Sequence, residues 1–217
     1  GNIASAVSIE PSLGILPVAG EAEHIAFFPI GGTEKAYLDW IVFNPADYSS
    51  TAYSGLISGI TGSSLLTEYL YTYQIEARGG PAIDNVENLT IYFETVLASG
   101  AGSYAADLDT WHNSVNFANL ATEGEDASAS LVALQFGPAF APGNLTWDYD
   151  GLIDTGEESH VAWITSPIQP DYRPSAINNT AQTGGKAPAP TPEPTSMALV
   201  GIGLLGLSGS IRKRFKA

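Results

Sequence analysis

Asp148, Asp150 and Asp154, with Glu157 and Glu158 just beyond, put five carboxylates within 11 residues. Calcium takes roughly six to eight oxygens, largely from carboxylates and carbonyls, so an Asp-x-Asp-Gly segment is a plausible source of ligands. The order is not that of an EF-hand, because Gly151 follows the second Asp directly. Two readings stand: a calcium site using Asp148, Asp150 and Asp154, or a solvated acidic loop on an acidic protein. Calcium is the one cofactor these residues suggest, and no other is expected. Paired carboxylates are also the tools of glycoside hydrolysis, a third reading that depends on their separation in space.

Trp111, Trp147 and Trp163, together with the tyrosines at 69, 71 and 73, could stack on sugar rings and form a carbohydrate-binding surface. The same aromatics at strand spacing also suit the buried face of a sheet. His24, His112 and His160 are far apart in sequence and fall in no metal-binding spacing. Gly55-Leu-Ile-Ser58-Gly59 approaches a nucleophile elbow but places its serine one position late. Gly201-Ile-Gly203-Leu-Leu-Gly206 spells a dinucleotide fingerprint without the strand, the following helix or the later acid that such a site needs. No catalytic set emerges, and the expectation is a protein that is not an enzyme.

The elements that must position these residues follow a period of two. Leu38, Trp40 and Val42 share one face of a run that ends at Asn44-Pro45. Tyr69, Tyr71, Tyr73 and Ile75 share one face of a run that stops at Arg78-Gly-Gly-Pro81. Leu89, Ile91 and Phe93 repeat the pattern, as do Leu131–Phe136 and Val161, Trp163 and Thr165. Alternating β-branched and aromatic runs, split by Gly, Pro, Asn and Ser, predict an all-β, mainly antiparallel domain. The expected architecture is a β-sandwich or jelly-roll-like ectodomain over residues 1–180. Tyr48–Ser64 reads as a long loop or a weak turn of helix. Residues 181–195, with prolines at 188, 190, 192 and 194, read as an extended Pro-rich linker, a stalk partly in polyproline II.

Without cysteine, no disulfide or thiolate metal site can brace the body, so its core must do so. Residues 1–191 hold 22 acidic side chains against four basic ones, Lys35, Arg78, Arg173 and Lys186. A surface so negative repels nucleic acid and anionic lipid, which excludes both as partners of the body.

The basic residues gather elsewhere. Four of the chain's eight, Arg212, Lys213, Arg214 and Lys216, fall in its last six positions. Before them, Ser196 to Ile211 runs for 16 residues without a charge and includes Ala198, Leu199, Val200, Leu204, Leu205 and Leu207. A spanning helix needs ~20 apolar residues, so this run is short, and its glycines weaken it further. In hydrocarbon only a helix satisfies the backbone, so residues 196–217 are expected to form a short hydrophobic helix with a basic stop. The positive-inside rule keeps that stop cytoplasmic and sends the body across the membrane.

This tail resembles the PEP-CTERM sorting signal of Gram-negative surface proteins. The matching residues are Pro192-Glu193-Pro194, Thr195-Ser196, the Leu/Gly-rich run Ala198–Ile211, and Arg212-Lys213-Arg214. The resemblance implies recognition by an exosortase, a membrane protease-transpeptidase, near Pro192-Glu193-Pro194. It implies transient contact with the inner membrane and delivery through the periplasm to the surface or matrix of a polysaccharide-producing cell. Such proteins carry an N-terminal leader; none is visible at Gly1, and the expectation is a leader already removed or outside this sequence. The function expected from tail and body together is a secreted, non-enzymatic structural or matrix protein of the biofilm type. Its partners would be extracellular polysaccharide or other copies of itself, with a carbohydrate-binding module as the alternative.

Overall fold

The computed structural model describes residues 18–28, 32–45, 53–63, 66–77, 86–93, 97–106, 108, 131–136, 143–153, 157–178 and 184–191. Among the described residues, ten strands and one helix follow in order: β1 (Val18–Phe28), β2 (Gly32–Phe43), α1 (Ser54–Thr61), β3 (Tyr69–Glu76), β4 (Val86–Tyr92), β5 (Gly100–Tyr104), β6 (Leu131–Phe136), β7 (Asn144–Ile153), β8 (Val161–Ser166), β9 (Pro170–Asn178) and β10 (Gly185–Pro190). They form two five-stranded sheets. The first has the order β1-β2-β3-β8-β5 and the second β10-β9-β4-β7-β6. Every pairing is antiparallel.

The predicted alternation positions the core. Leu38, Trp40, Val42, Tyr71, Tyr73, Ile75 and Ile164 of the first sheet meet Leu89, Ile91, Leu145, Trp147, Tyr149 and Ile177 of the second. The tyrosine stripe is therefore a buried sheet face: Tyr71 and Tyr73 have no exposed surface, and Tyr69 packs at the margin. The opposite face of the first sheet is buried as well. Ile41, Phe43, Leu70 and Val161 lie beneath Tyr53, Leu56 and Ile57 of the α1 region. Helix α1 occupies the segment read as a loop or weak helical turn. It ends at Gly62, whose φ of 72° suits glycine and whose N–H donates to the Ser58 carbonyl at 2.9 Å. Coverage on both faces explains why β3 is buried along almost its whole length.

Two expectations change. The acidic segment Asp148–Asp150 is not a loop but part of β7, where Leu145, Trp147 and Tyr149 point into the core and Asp148 points outward. Leu, Trp and Tyr at alternate positions outweigh the acids between them, because the strand needs only one apolar face. Register irregularities against β4 and β6 fall beside this stretch. Second, the linker expected over 181–195 does not begin as a stalk. Residues 185–190 are β10, the edge strand of the second sheet, and Ala187 and Ala189 are fully buried in the core. The helix expected over 196–217 lies outside the described residues; among the described residues no helix is long and apolar enough to cross a membrane.

Candidate functional site

The junction between body and tail is built by proline parity. β10 pairs with β9 from Gly185 opposite Ser175 to Pro190 opposite Pro170. In that register Pro188 faces Tyr172, Lys186 faces Pro174, and Pro190 faces Pro170, so all four prolines occupy one of the two alternating classes of pair. The next residue reveals which class it is. The Thr191 N–H donates to the Gln169 carbonyl at 3.1 Å, so the odd-numbered pairs exchange the ladder bonds. The prolines sit in the non-bonded pairs, where a missing N–H removes nothing from the β9–β10 ladder. Pro174 also stands where the β4–β9 pairing ends, one residue past Ile91 opposite Ser175.

The outer edge of β10 is not left to water. β10 lies against β1 and β2, and residues 187–191 are all buried. A backbone N–H turned toward that seam would be an orphaned donor, and Pro188 and Pro190 have none to orphan. The Pro188 carbonyl is satisfied from the other sheet: the Tyr73 hydroxyl donates to it at 2.5 Å. Nearby, the Tyr71 hydroxyl donates to the Ile168 carbonyl at 2.6 Å. Burial, reinforced by its neighbour Tyr71, pushes the Tyr73 hydroxyl well above its ordinary pKa, and burial does the same for Tyr71. Both are therefore neutral donors over the physiological range.

Thr191 closes the arrangement. It is 7 % exposed, and its hydroxyl accepts from Arg173 Nε at 2.8 Å and donates to the Ala189 carbonyl at 3.2 Å. Side chain and main chain thus fix the residue that directly precedes Pro192. Sequence reasoning missed Tyr73, Arg173 and Thr191 in this role. The legible signal was the shared parity of Pro188 and Pro190, alternating with the small residues Ala187 and Ala189.

The other residues singled out from sequence are dispersed. Trp147 has no exposed surface; it lies between the sheets, tilted against Tyr73 with ring centroids 6.2 Å apart, and its indole N–H donates to the Gly102 carbonyl at 2.7 Å. That corrects its assignment as a sugar-stacking residue, since a ring enclosed between two sheets meets no solute. Trp163 is half-buried on the opposite face of the first sheet, above Gly102. The two indoles face away from each other across that sheet and make no common platform, and Trp111 lies outside the described residues. Asp148 accepts a short hydrogen bond from Gln135 Nε2. Asp154 and the side chain of Asp150 lie outside the described residues, and among those described no group of three or more acids or histidines stands close enough to hold a metal. A polar cleft of about 330 Å³ opens beside the C-terminus of α1, lined by Thr61, Ser63, Leu66, Thr67, Glu68 and Thr165.

Pro192, Glu193 and Pro194, the apolar run Ser196–Ile211 and the basic stop lie outside the described residues. Their sequence is nonetheless diagnostic. The model of the PEP-CTERM protein-sorting motif matches residues 190–214, beginning on the last residue of β10. No curated protein and no solved structure matches the chain. The tail thus carries a PEP-CTERM protein-sorting motif, the signal that exosortase-type membrane proteases process and that indicates export through the membrane and periplasm to the cell surface or extracellular space.

Proposed function

We propose that the body is a non-enzymatic structural component of the extracellular matrix, held among secreted polysaccharide after the tail has been processed. The observation that carries this reading is a sorting motif joined directly to a sealed all-β body. Several of the polar groups inside that body are spent on the fold. Gln74 donates to the Ala106 and Ser159 carbonyls and accepts from the Leu108 N–H, while Tyr71, Tyr73 and Trp147 bind main-chain carbonyls. Its strong negative charge keeps such a body soluble and apart from anionic surfaces. Self-association, if it accompanies this role, uses a surface other than the outer edge of β10, which is buried and short of donors. The test is co-sedimentation of the processed body with cell-free extracellular polysaccharide, alongside matrix mass in a strain lacking the chain. An unchanged matrix and a body that stays in the supernatant refute the reading.

The second reading is a carbohydrate-binding module, favoured by the hydroxyl-lined cleft next to α1. Hydroxyls and one carboxylate suit hydrogen bonding to a sugar, with Leu66 as the apolar patch. Glycan-array binding that disappears in Glu68→Ala and Thr67→Ala would select it over the first.

A further inference from the structure

We infer that the end of the sandwich where Thr191 leaves the fold is the face the body turns toward the membrane enzyme during processing; this rests on the sorting reading. Thr191 is fixed by Gln169, Arg173 and the Ala189 carbonyl, so the chain departs from a defined point. Only residues 192–197 separate it from the Leu/Gly-rich run that begins at Ala198. Six residues reach about 20 Å at full extension. The same end of the sandwich carries the β8–β9 turn with exposed Pro167 and Gln169, the start of β3 at Tyr69, and the polar cleft. The opposite end, with exposed Gly184 and Glu87, lies farther off by the length of β10, about 20 Å for six residues.

Charge decides what that face meets. With 22 acidic residues against four basic ones before the motif, the body is repelled by anionic headgroups. A short tether that forces it close to the bilayer therefore favours seating on protein, the outer surface of the enzyme that cuts the tail. The docked strand also sets an upstream limit. Bonds before Thr191 lie in a paired, buried strand, so the amide that is cut lies beyond Thr191. Its acyl group passes to water or to an amine acceptor, and the new amino terminus leaves with the tail.

Photo-crosslinking of the full chain in membranes containing the enzyme tests this, with the probe residue placed at Gln169 or at Gly184, where a side chain meets nothing within 4 Å. The expected result is at least fivefold more enzyme adduct from position 169 than from 184. A 12-residue Gly/Ser insertion between Thr191 and Pro192 is expected to erase that difference. The intact mass of the released body is expected to include Thr191. Equal adducts from both positions, adducts from 169 to lipid alone, or a product that ends before Thr191 would overturn the inference. A Pro192→Ala, Glu193→Ala, Pro194→Ala control separates the two levels: normal processing of that variant removes the sorting reading itself, whereas blocked processing with equal adducts removes only the orientation.

Discussion

At one side of the sandwich the edge strand β10 carries prolines at 188 and 190; at the other, the edge strand β5 carries glycines at 100 and 102. Both seams use the same device, an aromatic donor from one sheet reaching a main-chain carbonyl on the edge of the other. Tyr73 of the first sheet donates to Pro188 of the second, and Trp147 of the second donates to Gly102 of the first. The backbone solutions are opposite. Proline removes an N–H that the buried rim of β10 could not satisfy. Glycine removes a Cβ, so that Trp163 can lie on β5: a Cβ at Gly102 would stand 2.7 Å from Trp163 Cζ2. One seam is limited by hydrogen-bond donors and the other by space.

That difference can be broken from either side. The largest effect is expected from alkali, because the β10 seam is closed by a phenol that titrates and the β5 seam by an indole that does not. Burial raises the pKa of Tyr73, Tyr71 and Tyr149, so the folded chain holds protons that the unfolded chain releases near pH 10.0. Above that pH the unfolded state binds fewer protons, and stability falls as pH rises. Urea melts between pH 8 and 11.5 should show cooperative unfolding coincident with the tyrosinate band near 295 nm, and Tyr73→Phe should flatten the slope. Tyrosinate formation at ordinary pH with the fold intact would contradict the burial of these hydroxyls. Next in size is Gly102→Val, which drives a branched side chain into the Trp163 ring; a loss of about 3 kcal/mol is expected from overpacking, read by denaturant midpoint. Trp147→Phe keeps an aromatic ring but strands the Gly102 carbonyl and leaves a gap, for a loss of ~2 kcal/mol. The smallest effect is Pro188→Ala, about 1 kcal/mol, because the restored N–H faces the β10 rim without a partner. An equal response to Ala at 188 and at the exposed, unpaired-class Pro174 would show that rim burial does not matter.

Much of this was readable from the residues alone. The alternation Leu38/Trp40/Val42 and Tyr71/Tyr73/Ile75 predicted strands with the correct inward faces, because one buried face imposes a period of two. The tail was readable because its three parts are compositional and need no tertiary context. β10 was not, since Pro, Ala and Gly have low strand propensity and read as an extended linker. Only the register against β9 shows that its prolines are harmless, and register is a property of two distant segments. β7 was misread for the opposite reason: Asp148 and Asp150 drew attention from Leu145, Trp147 and Tyr149, which set its face. Trp147 and Trp163 share no platform because an indole's burial depends on which side of a sheet it occupies. Trp147 and Trp163 fall on opposite faces of the first sheet, a fact that no local spacing encodes.

β10 is the last of the described strands in chain order, yet Ala187 and Ala189 complete an interior that β2, β3, β4, β7, β8 and β9 begin. Until that strand arrives, the Tyr73 hydroxyl lacks its acceptor and the β1–β2 flank lies open. Closure of the two sheets therefore waits on the segment that directly precedes the sorting motif, and because that piece is an edge strand it can dock from the side without threading.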